Sequence, residues 1–333
     1  MTLEEFLAEW KDVNSRLLVH TSGSTGKPKP MMVEKARMLN SARITCDFLG
    51  LKSGDTALLC MSLDYIAGKM MVVRAIERGL RLVSVKPCGH PLSDEALGQN
   101  DISFDFAAMV PMQVFNSLQV SEERERLSRI RHLIIGGGAI DDALAAELRE
   151  MPNAVWSTYG MTETLSHIAL RRLNGEEASE WYQPFDSVKI SANGEGCLVI
   201  DAPLVCSDCL VTNDIVEIKE ISCSNEREKK VLFRIKGRKD NVICSGGIKI
   251  QIEEVEDKLR PHLANPFMLA KKKDGKFGEI AVMITESPCL EEVEHVCREV
   301  LGKFSKYWIP KEYLHCDKLP MTETGKPKRN VLL

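Results

Sequence analysis

The chain has 333 residues, of which 44% are hydrophobic and 28% are charged, and its formal net charge is −4. This length favours about two domains with substantial cores, and the composition is typical of a globular protein. The slightly negative charge argues against nucleic acid as an electrostatic partner. Apolar runs are too short to cross a membrane, and the first residues, MTLEEFLAEW, are acidic rather than a basic leader. We therefore expect a cytoplasmic protein without membrane insertion.

Eleven cysteines are spread along the chain, and two of them, Cys206 and Cys209, form a CxxC pair. A zinc site of this kind would need a second close pair, which the sequence lacks. The pattern therefore favours buried, reduced thiols over a metal site.

Helix and strand patterns alternate through the first half of the chain, as judged from apolar spacing and from capping and turn residues. The predicted elements are helix 3–10, strand 16–20, helix 33–48, strand 56–61, helix 66–78, strand 80–85, helix 121–130, strand 132–135, helix 142–151 and strand 155–159. Such alternation indicates an α/β fold, with a mostly parallel sheet covered by helices.

The pattern changes at about Asp186, where strands become shorter and turns such as Ala192-Asn193-Gly194 separate them. This segment predicts a β-rich subdomain. The last part combines two helical patterns, 252–259 and 290–301, with a hairpin turning at Asp274-Gly275. We therefore predict a large N-terminal domain over 1–236, containing the helix-covered sheet and the β-rich subdomain, and a small α+β C-terminal domain over 237–333.

The most distinctive segment for function is TSGSTGKPK, which occupies residues 21–29. Its glycines allow sharp turns and close approach of backbone N–H groups, while hydroxyls and lysines add donors and positive charge. It is not a Walker loop, because only two residues separate Gly23 from Gly26, and Pro28 stands where Ser or Thr would bind Mg²⁺. The segment predicts a polyphosphate site formed by Thr21, Ser22, Gly23, Ser24, Thr25, Gly26 and Lys27.

The order of residues in TSGSTGKPK resembles the phosphate-binding signature of the adenylate-forming superfamily, which includes acyl-CoA synthetases, luciferases and the adenylation domains of peptide synthetases. Further segments follow in the order that this family has, and the resemblance extends from residue 18 to near the end of the chain. These segments are GGGA at 136–139, YGMTET at 159–164, VTND at 211–214, GRKDN at 237–241, SGGIKI at 245–250 and PMTETGKPK at 320–328.

The resemblance implies an adenine site made by glycine-rich backbone and one ring. Gly137, Gly138 and Ala139 would lie against the base, because absent or small side chains give a flat ring access to the backbone. Tyr159 would stack near the adenine, and Gly160 follows it.

Catalysis would depend on three residues at the α-phosphate of ATP. Thr162 would contact the phosphate, and Glu163 would hold Mg²⁺, which prefers one or two carboxylates together with phosphate oxygens. Lys326, in the C-terminal TxxGK motif, would bind the oxygens of the attacking carboxylate and of the α-phosphate. The resemblance thus implies ATP, Mg²⁺ and the co-substrate CoA.

The ribose would be bound by Asp214, whose two oxygens can accept from both hydroxyls, and by Arg238. Asn213 stands where the family usually has glycine, and asparagine tolerates left-handed backbone better than most residues. Asp240 would be the hinge about which the C-terminal domain rotates, so that one site serves both half-reactions.

Within the superfamily, the segment YGMTETLSH at 159–167 most resembles the o-succinylbenzoate–CoA ligases of menaquinone biosynthesis. This resemblance points to an aromatic keto-dicarboxylate as substrate. Members of the superfamily usually carry well over a hundred residues before the phosphate loop, whereas this sequence has twenty, so we expect an N-terminal domain that is abbreviated relative to the family.

The acyl pocket is the part of the predicted site that the sequence determines least. The family's aromatic-histidine motif corresponds here to LDYIAGK at 63–69, which has no histidine. Tyr65 is a candidate for its gating role, and Lys69 for pairing with a second substrate carboxylate, although a lysine on a helix is often simply solvated. His167 is a candidate for the pocket or a structural histidine.

Three functions remain open from the sequence. The first is an o-succinylbenzoate–CoA ligase. The second is an adenylating enzyme for another aryl or acyl acid, including one that loads a carrier protein, and the third is a nucleotide-binding remnant with impaired catalysis. The expected partners are a small carboxylate and CoA, and a homo-oligomer is compatible with the sequence.

Overall fold

A computed structural model describes residues 1–20, 30–98, 103–138, 140, 142–222, 229–321 and 327–329. The chain forms two compact units. The first contains Met1–Ile190, Ile200–Leu210 and Lys219–Phe233, and the second contains Ser191–Val199, Val211–Ile218 and Arg234–Leu333. The domain boundary at 236/237 and the mobility of the C-terminal domain stay predictions.

The described helices are α1 (Leu3–Lys11), α2 (Lys35–Phe48), α3 (Ile66–Arg78), α4 (Pro111–Leu118), α5 (Ser121–Ser128), α6 (Asp142–Arg149), α7 (Ile252–Leu259) and α8 (Leu290–Leu301). The described strands are β1 (Arg16–His20), β2 (Pro30–Glu34), β3 (Thr56–Leu59), β4 (Arg81–Ser84), β5 (Phe106–Met109), β6 (His132–Ile135), β7 (Ala154–Gly160), β8 (His167–Arg172), β9 (Gln183–Pro184), β10 (Lys189–Ala192), β11 (Cys197–Asp201), β12 (Leu210–Ser222), β13 (Lys229–Arg238), β14 (Val242–Ser245), β15 (Ile248–Gln251), β16 (Phe267–Asp274), β17 (Gly278–Thr285) and β18 (Glu312–His315). Across the described part of the chain, each helix is too short or too polar to span a bilayer.

The first unit is built on a seven-stranded sheet with the order β4-β3-β5-β6-β7-β8-β9. The five strands from β4 to β7 are parallel, and β8 and β9 add to the edge in antiparallel pairing. Every residue of β3 and of β5 is buried, as expected for parallel strands covered on both faces. One face packs against α4, α5 and α6 through side chains that include Val114, Leu127 and Leu148. The predicted α/β class with a mostly parallel sheet is confirmed.

The predicted helix 33–48 was wrong at its start. Residues 30–34 form β2, which pairs with β1 in antiparallel register from Arg16↔Glu34 to His20↔Pro30, and α2 begins at Lys35. This hairpin buries Leu17, Val19 and Val33. The helical spacing of the sequence was therefore overridden by a pairing between strands that the sequence pattern did not indicate.

The second unit contains a five-stranded sheet in which β15, β14, β17 and β16 follow one another and β18 joins β17 in parallel. Alternate residues of β16 and β17 face opposite sides. Leu269 and Met283 pack with α7 and α8, whereas Met268 and Val282 belong to a smaller cluster. This arrangement confirms the small α+β unit and the hairpin at Asp274.

A four-stranded sheet with the order β10-β11-β12-β13 supplies the β-rich subdomain. The predicted turn at Asn193 is held by its own side chain, whose Oδ1 accepts from the N–H groups of Glu195 and Cys197, both at 2.9 Å. Such side-chain-to-backbone bonding is the reason that asparagine favours turns.

The second unit also contains a buried ion pair between α7 and the end of the chain. Glu256 is 3% exposed, and its carboxylate accepts from Arg329 Nη1 at 2.5 Å and Nη2 at 2.9 Å. The backbone N–H of Leu269 donates to the same carboxylate at 2.7 Å. A bidentate pair with a further donor is the geometry in which a buried carboxylate is well compensated.

We predict that Glu256→Gln destabilises the second unit by about 3 to 5 kcal/mol, because it leaves the largely buried Arg329 charge without its partner. Chemical unfolding followed by tryptophan fluorescence measures the effect. Asp257→Asn is the matched control: it removes a carboxylate 3.4 Å from Arg260 that is 64% exposed, and a surface pair of this kind contributes at most about 1 kcal/mol. Equal effects of the two substitutions would contradict the prediction.

Candidate functional site

The predicted adenine segment lies where β6 ends beside β7. The two strands are parallel and paired up to Ile135↔Ser157, so their carboxyl ends meet at one edge of the sheet, where ligands bind in open α/β folds. A Cβ at Gly136 would lie 2.3 Å from Thr158 Oγ1, so any other residue there would force the Thr158 side chain to move. Gly137 has a φ of +85°, which also favours glycine. The backbone of residues 136–138 therefore approaches β7 closely and contributes no side chains to this edge.

The turn after β7 is held by one buried hydroxyl. Thr162–Thr164 form a short 3-10 turn, and Thr164 Oγ1 accepts from the N–H of Met161 at 3.1 Å and lies 2.8 Å from the carbonyl oxygen of Ser166. The N–H of Ser166 donates to the carbonyl of Thr164 at 2.7 Å. This tight closure places Leu165 at a φ of +67°, a left-handed conformation that is strained for a leucine.

The close return of the chain also explains Gly160. A Cβ at this position would lie 2.3 Å from the carbonyl oxygen of Ser166 and 2.4 Å from the Cα of His167. The ring of Tyr159, next to it, contacts Phe233 edge to face at 5.1 Å between ring centroids and Tyr182 at 5.9 Å. The two predicted adenine residues are thus part of a fixed aromatic and backbone arrangement.

Thr162 and Glu163 occupy different environments within this turn. Thr162 is buried, whereas Glu163 is exposed. Among the described residues, the Glu163 carboxylate has neither a hydrogen-bond nor an ion-pair partner, and no group of three His, Cys, Asp or Glu side chains forms a complete metal site. A single available carboxylate fits Mg²⁺ that takes its other ligands from phosphate oxygens and water.

The predicted ribose and hinge residues form one ion-pair network in the second unit. Arg238 donates to Asp214 at 3.1 Å and to Asp240 at 2.9 Å. The side-chain amide of Asn213 donates to both oxygens of Asp240, at 3.0 and 3.2 Å. Asn213 thus has a specific contact that the family's usual glycine would lack. The roles of Asp214, Arg238 and Asp240 stay predictions.

Three parts of the predicted site lie outside the described residues. They are the phosphate segment 21–29, Ala139 and Lys326. The structure therefore brings together Gly137, Gly138, Tyr159, Gly160, Thr162 and Glu163 in the first unit, and Asp214, Arg238 and Asp240 in the second.

Lys69 is not solvated, so that interpretation was wrong. Its side chain is buried under the N-terminal helix, with Nζ 5.1 Å from the Phe6 ring centroid and 3.2 Å from Met1 Sδ. Burial lowers the pKa of Lys69. Tyr65 is half-buried at the start of α3. The acyl-pocket roles of both residues stay predictions.

His167 is buried at the start of β8. Its Nε2 lies 3.1 Å from Thr45 Oγ1 and its Nδ1 lies 3.3 Å from Ser166 Oγ. Burial, together with the charge of nearby Arg74, lowers the pKa of His167 well below its usual value. The imidazole is therefore neutral at physiological pH and adds no charge here.

The residue that sequence reasoning missed is Arg74, on α3. It is 2% exposed, and Nη2 donates to Ser166 Oγ at 2.6 Å and to Thr45 Oγ1 at 3.5 Å. Its Nε is buried without a hydrogen-bond partner, and no carboxylate of the described residues lies within ion-pair distance. The neighbouring Cys46 thiol has its pKa raised to about 11 by burial, so it does not supply a negative charge.

An unpaired buried guanidinium is rare, because removing a charge from water without compensation is unfavourable. Burial lowers the pKa of Arg74 only to about 10, so the charge remains at neutral pH. The feature of the sequence that could have indicated the burial of Arg74 was a single arginine in the apolar stretch MMVVRAI at 70–76. That signal was ambiguous, because the same spacing suits an arginine whose head group reaches solvent.

A model of the AMP-binding enzyme family matches residues 8–201 of the chain. The chain belongs to this family. The predicted enzyme class, an AMP-forming acyl-CoA ligase, is confirmed.

The chain is similar to 2-succinylbenzoate–CoA ligases from Bacillus cereus strain Q1, at 25% identity, and from Bacillus mycoides strain KBAB4, at 24%. In both comparisons 99% of this chain and 71% of the relative are covered.

Two solved structures support the same assignment. An acyl-CoA synthetase (AMP-forming)/AMP-acid ligase II-like protein from Dyadobacter fermentans is 34% identical, with a TM-score of 0.63 and coverage of 98% of this chain and 91% of that chain. The o-succinylbenzoate CoA synthetase of Bacillus subtilis, in complex with its acyl-adenylate intermediate, is 25% identical, with a TM-score of 0.73 and coverage of 95% and 68%.

Thr164 provides a test of the turn. We predict that Thr164→Val lowers the free energy of unfolding of the first unit by about 1 to 3 kcal/mol, because the partly buried N–H of Met161 loses its acceptor. Thr164→Ser, which keeps the hydroxyl, is the control and should stay within about 1 kcal/mol of the wild type. Urea unfolding of both variants measures the difference, and a Val variant as stable as the Ser variant would refute this role.

Proposed function

We propose that this AMP-binding enzyme adenylates an aromatic dicarboxylate, o-succinylbenzoate, and transfers the acyl group to CoA. The product would be the thioester used in menaquinone biosynthesis. Two observations support this substrate. The relatives that match 99% of the chain are named for this substrate, and the first unit holds a buried positive charge that suits a second carboxylate.

The buried charge of Arg74 is the observation that supports a substrate with two carboxylates. Its partner Ser166 is half-buried and follows the Glu163 turn directly, before β8. A substrate carboxylate bound near Ser166 would compensate the guanidinium, which has no carboxylate partner among the described residues. The guanidinium would then contribute affinity and specificity together, since a substrate without this carboxylate leaves the charge unpaired.

In the first half-reaction, a carboxylate oxygen of the substrate attacks the α-phosphorus of ATP, and pyrophosphate leaves. Such a displacement depends mainly on positioning and on stabilisation of charge. The segment 21–27 would hold the departing phosphates, Thr162 the α-phosphate and Lys326 the attacking oxygen. Mg²⁺ bound at Glu163 would neutralise phosphate charge. The Bacillus subtilis relative has been solved with ATP and a magnesium ion.

In the second half-reaction, the thiol of CoA attacks the acyl carbonyl and AMP leaves. Rotation of residues 237–333 about Asp240 would withdraw Lys326 and admit the thiol. Asp214 and Arg238 would keep the ribose in place during both steps. The cytoplasmic location and the oligomeric state stay predictions.

Two alternatives remain. An adenylating enzyme for another acid, or one that loads a carrier protein, would use the same nucleotide residues with a different acyl site. A catalytically impaired remnant would keep nucleotide binding alone, but the presence of Glu163, Asp214 and Lys326 argues against it.

A measurement of pyrophosphate release separates these functions. The acids tested are o-succinylbenzoate, a monocarboxylate analogue that lacks the succinyl carboxylate, and aliphatic acids. Each acid is tested both in the presence and in the absence of CoA. The proposed ligase releases pyrophosphate best with o-succinylbenzoate and forms a thioester only when CoA is added. Preference for another acid, or a thioester yield that does not depend on CoA, supports the second function. The absence of release with every acid supports the remnant.

Arg74→Met, a substitution of similar length without charge, is predicted to reduce kcat/KM for o-succinylbenzoate relative to the monocarboxylate analogue by about 30- to 1,000-fold, which corresponds to about 2 to 4 kcal/mol of lost charge pairing. Its stability should not fall, because Arg74 has no counter-ion in the described chain. Arg74→Lys is the control and should retain part of the selectivity. Equal losses for both substrates would rule out this role of Arg74.

Lys326→Ala is predicted to reduce adenylation by at least about 100-fold, since it removes a charge from the transition state. Thioester formation from a supplied acyl-adenylate should remain largely intact. Lys328→Ala, two residues further on, is the control and should retain both half-reactions. An equal loss of both half-reactions in Lys326→Ala would show that the lysine is not specific to adenylation.

A further inference from the structure

A closed ring of hydrogen bonds includes the imidazole of His167 in the first unit. Arg74 Nη2 donates to Ser166 Oγ at 2.6 Å and lies 3.5 Å from Thr45 Oγ1. The imidazole closes the ring, because its Nδ1 lies 3.3 Å from Ser166 Oγ and its Nε2 lies 3.1 Å from Thr45 Oγ1. Each of the four side chains therefore has two neighbours in the ring, and the available hydrogens must be divided among them.

The ring joins three parts of the first unit. Thr45 lies on α2 and Arg74 lies on α3. Ser166 and His167 lie at the return into β8, where the imidazole packs against Phe185 at 5.6 Å between ring centroids. Three members of the ring are buried, and only Ser166 is half-buried. Water therefore has little access, and a hydrogen bond left unmade would cost the desolvation of a polar group.

The imidazole carries no charge at this position. Burial, together with the charge of nearby Arg74, lowers the pKa of His167 well below its usual value. One nitrogen of a neutral imidazole donates a hydrogen bond and the other accepts one, and the neighbours decide which nitrogen carries the hydrogen.

The neighbours of His167 assign the hydrogen to Nε2. The Thr45 hydroxyl donates to the carbonyl of Ser41, one turn earlier in α2, at 3.1 Å. Its only hydrogen is then used, so Thr45 Oγ1 can only accept from the imidazole. Nδ1 is consequently the acceptor, and it takes the hydrogen of Ser166. With this arrangement every donor of the ring has an acceptor.

The opposite tautomer satisfies fewer groups. With the hydrogen on Nδ1, the Thr45 hydroxyl would have to leave the Ser41 carbonyl in order to donate to Nε2. The hydroxyl hydrogen of Ser166 would then have no acceptor within the described part of the chain. Because buried polar groups are almost always hydrogen-bonded, the tautomer with hydrogen on Nε2 is the favoured one.

This tautomer fixes the direction of the Ser166 hydroxyl. A serine hydroxyl can rotate to suit its partners, but here its hydrogen is taken by His167 and its oxygen is left to accept from Arg74. The guanidinium is planar, so holding Nη2 at two oxygens restricts the orientation of the whole group. Its Nε has no partner among the described residues and remains available. A charge oriented before the ligand arrives binds with a smaller ordering cost.

We propose that His167, in its neutral form with hydrogen on Nε2, is a positioning residue that orients Ser166 and, through it, the Arg74 guanidinium for the second carboxylate of the substrate. The proposal rests on the proposed function, because it assumes a dicarboxylate. The imidazole acts through two neighbouring side chains and not by contact with the reacting atoms.

Three variants of the full-length chain test the role of each imidazole nitrogen. His167→Phe keeps a ring against Phe185 but removes both hydrogen bonds. The side-chain oxygen of His167→Asn can replace Nδ1 as the acceptor for Ser166, whereas the side-chain amide of His167→Gln can replace only the Nε2 donor. The proposal therefore distinguishes two amide side chains of similar chemistry.

Steady-state kinetics with o-succinylbenzoate compares these variants. His167→Phe and His167→Gln should raise KM for this acid by about tenfold, while KM for ATP should not rise by the same factor. The effect should appear in KM more than in kcat, because the second carboxylate is held equally in the ground state and the transition state. His167→Asn should keep KM for the acid within about threefold of the wild type.

Nuclear magnetic resonance of the free enzyme provides a readout that a merely structural role would not fix. The chain is labelled with ¹⁵N-histidine, and the signals of His167 are those that disappear in His167→Asn. At neutral pH, Nε2 should be protonated and Nδ1 unprotonated.

Three results would overturn the proposal. They are a hydrogen on Nδ1 at neutral pH, an unchanged KM for the acid in His167→Phe, and equal effects of the Asn and Gln substitutions. Failure of the proposed function shows separately, as absence of pyrophosphate release from the wild type with o-succinylbenzoate, because the resonance measurement needs no substrate.

Discussion

The parallel pairing of β6 with β7 is the constraint on which the first unit's site depends. It brings the ends of both strands to one edge, so that Gly136–Gly138 and Tyr159–Glu163 meet although twenty residues separate them. The antiparallel return into β8 then leaves room for only a short turn. The glycine at 160, the hydroxyl of Thr164 and the left-handed Leu165 are all consequences of this close return.

Two unfavourable features lie next to each other at this return. Leu165 carries backbone strain, and one residue further on Ser166 accepts a hydrogen bond from the buried Arg74, which has no carboxylate partner within the described part of the chain. Strained backbone and uncompensated charge persist where the surrounding structure enforces them, and such positions often coincide with function. Here they connect the Glu163 turn with the charge that we assign to the second substrate carboxylate.

Charged groups of the second unit act differently according to their exposure. The Glu256–Arg329 pair is buried and saturated with donors, and we assign it a structural role. The Asp214–Arg238–Asp240 network is partly exposed and contains the side chains predicted for the ribose.

The sequence by itself determined the features that depend on local order. Apolar spacing predicted α3, α7 and α8 with the bounds that the structure shows, and the motif residues identified the family and the nucleotide chemistry. The tertiary structure alone decided the β1–β2 hairpin and the burial of Lys69 and Arg74. These features arise from contacts between segments far apart in the chain, and whether a charged side chain is solvated or buried depends on such contacts rather than on its neighbours in sequence.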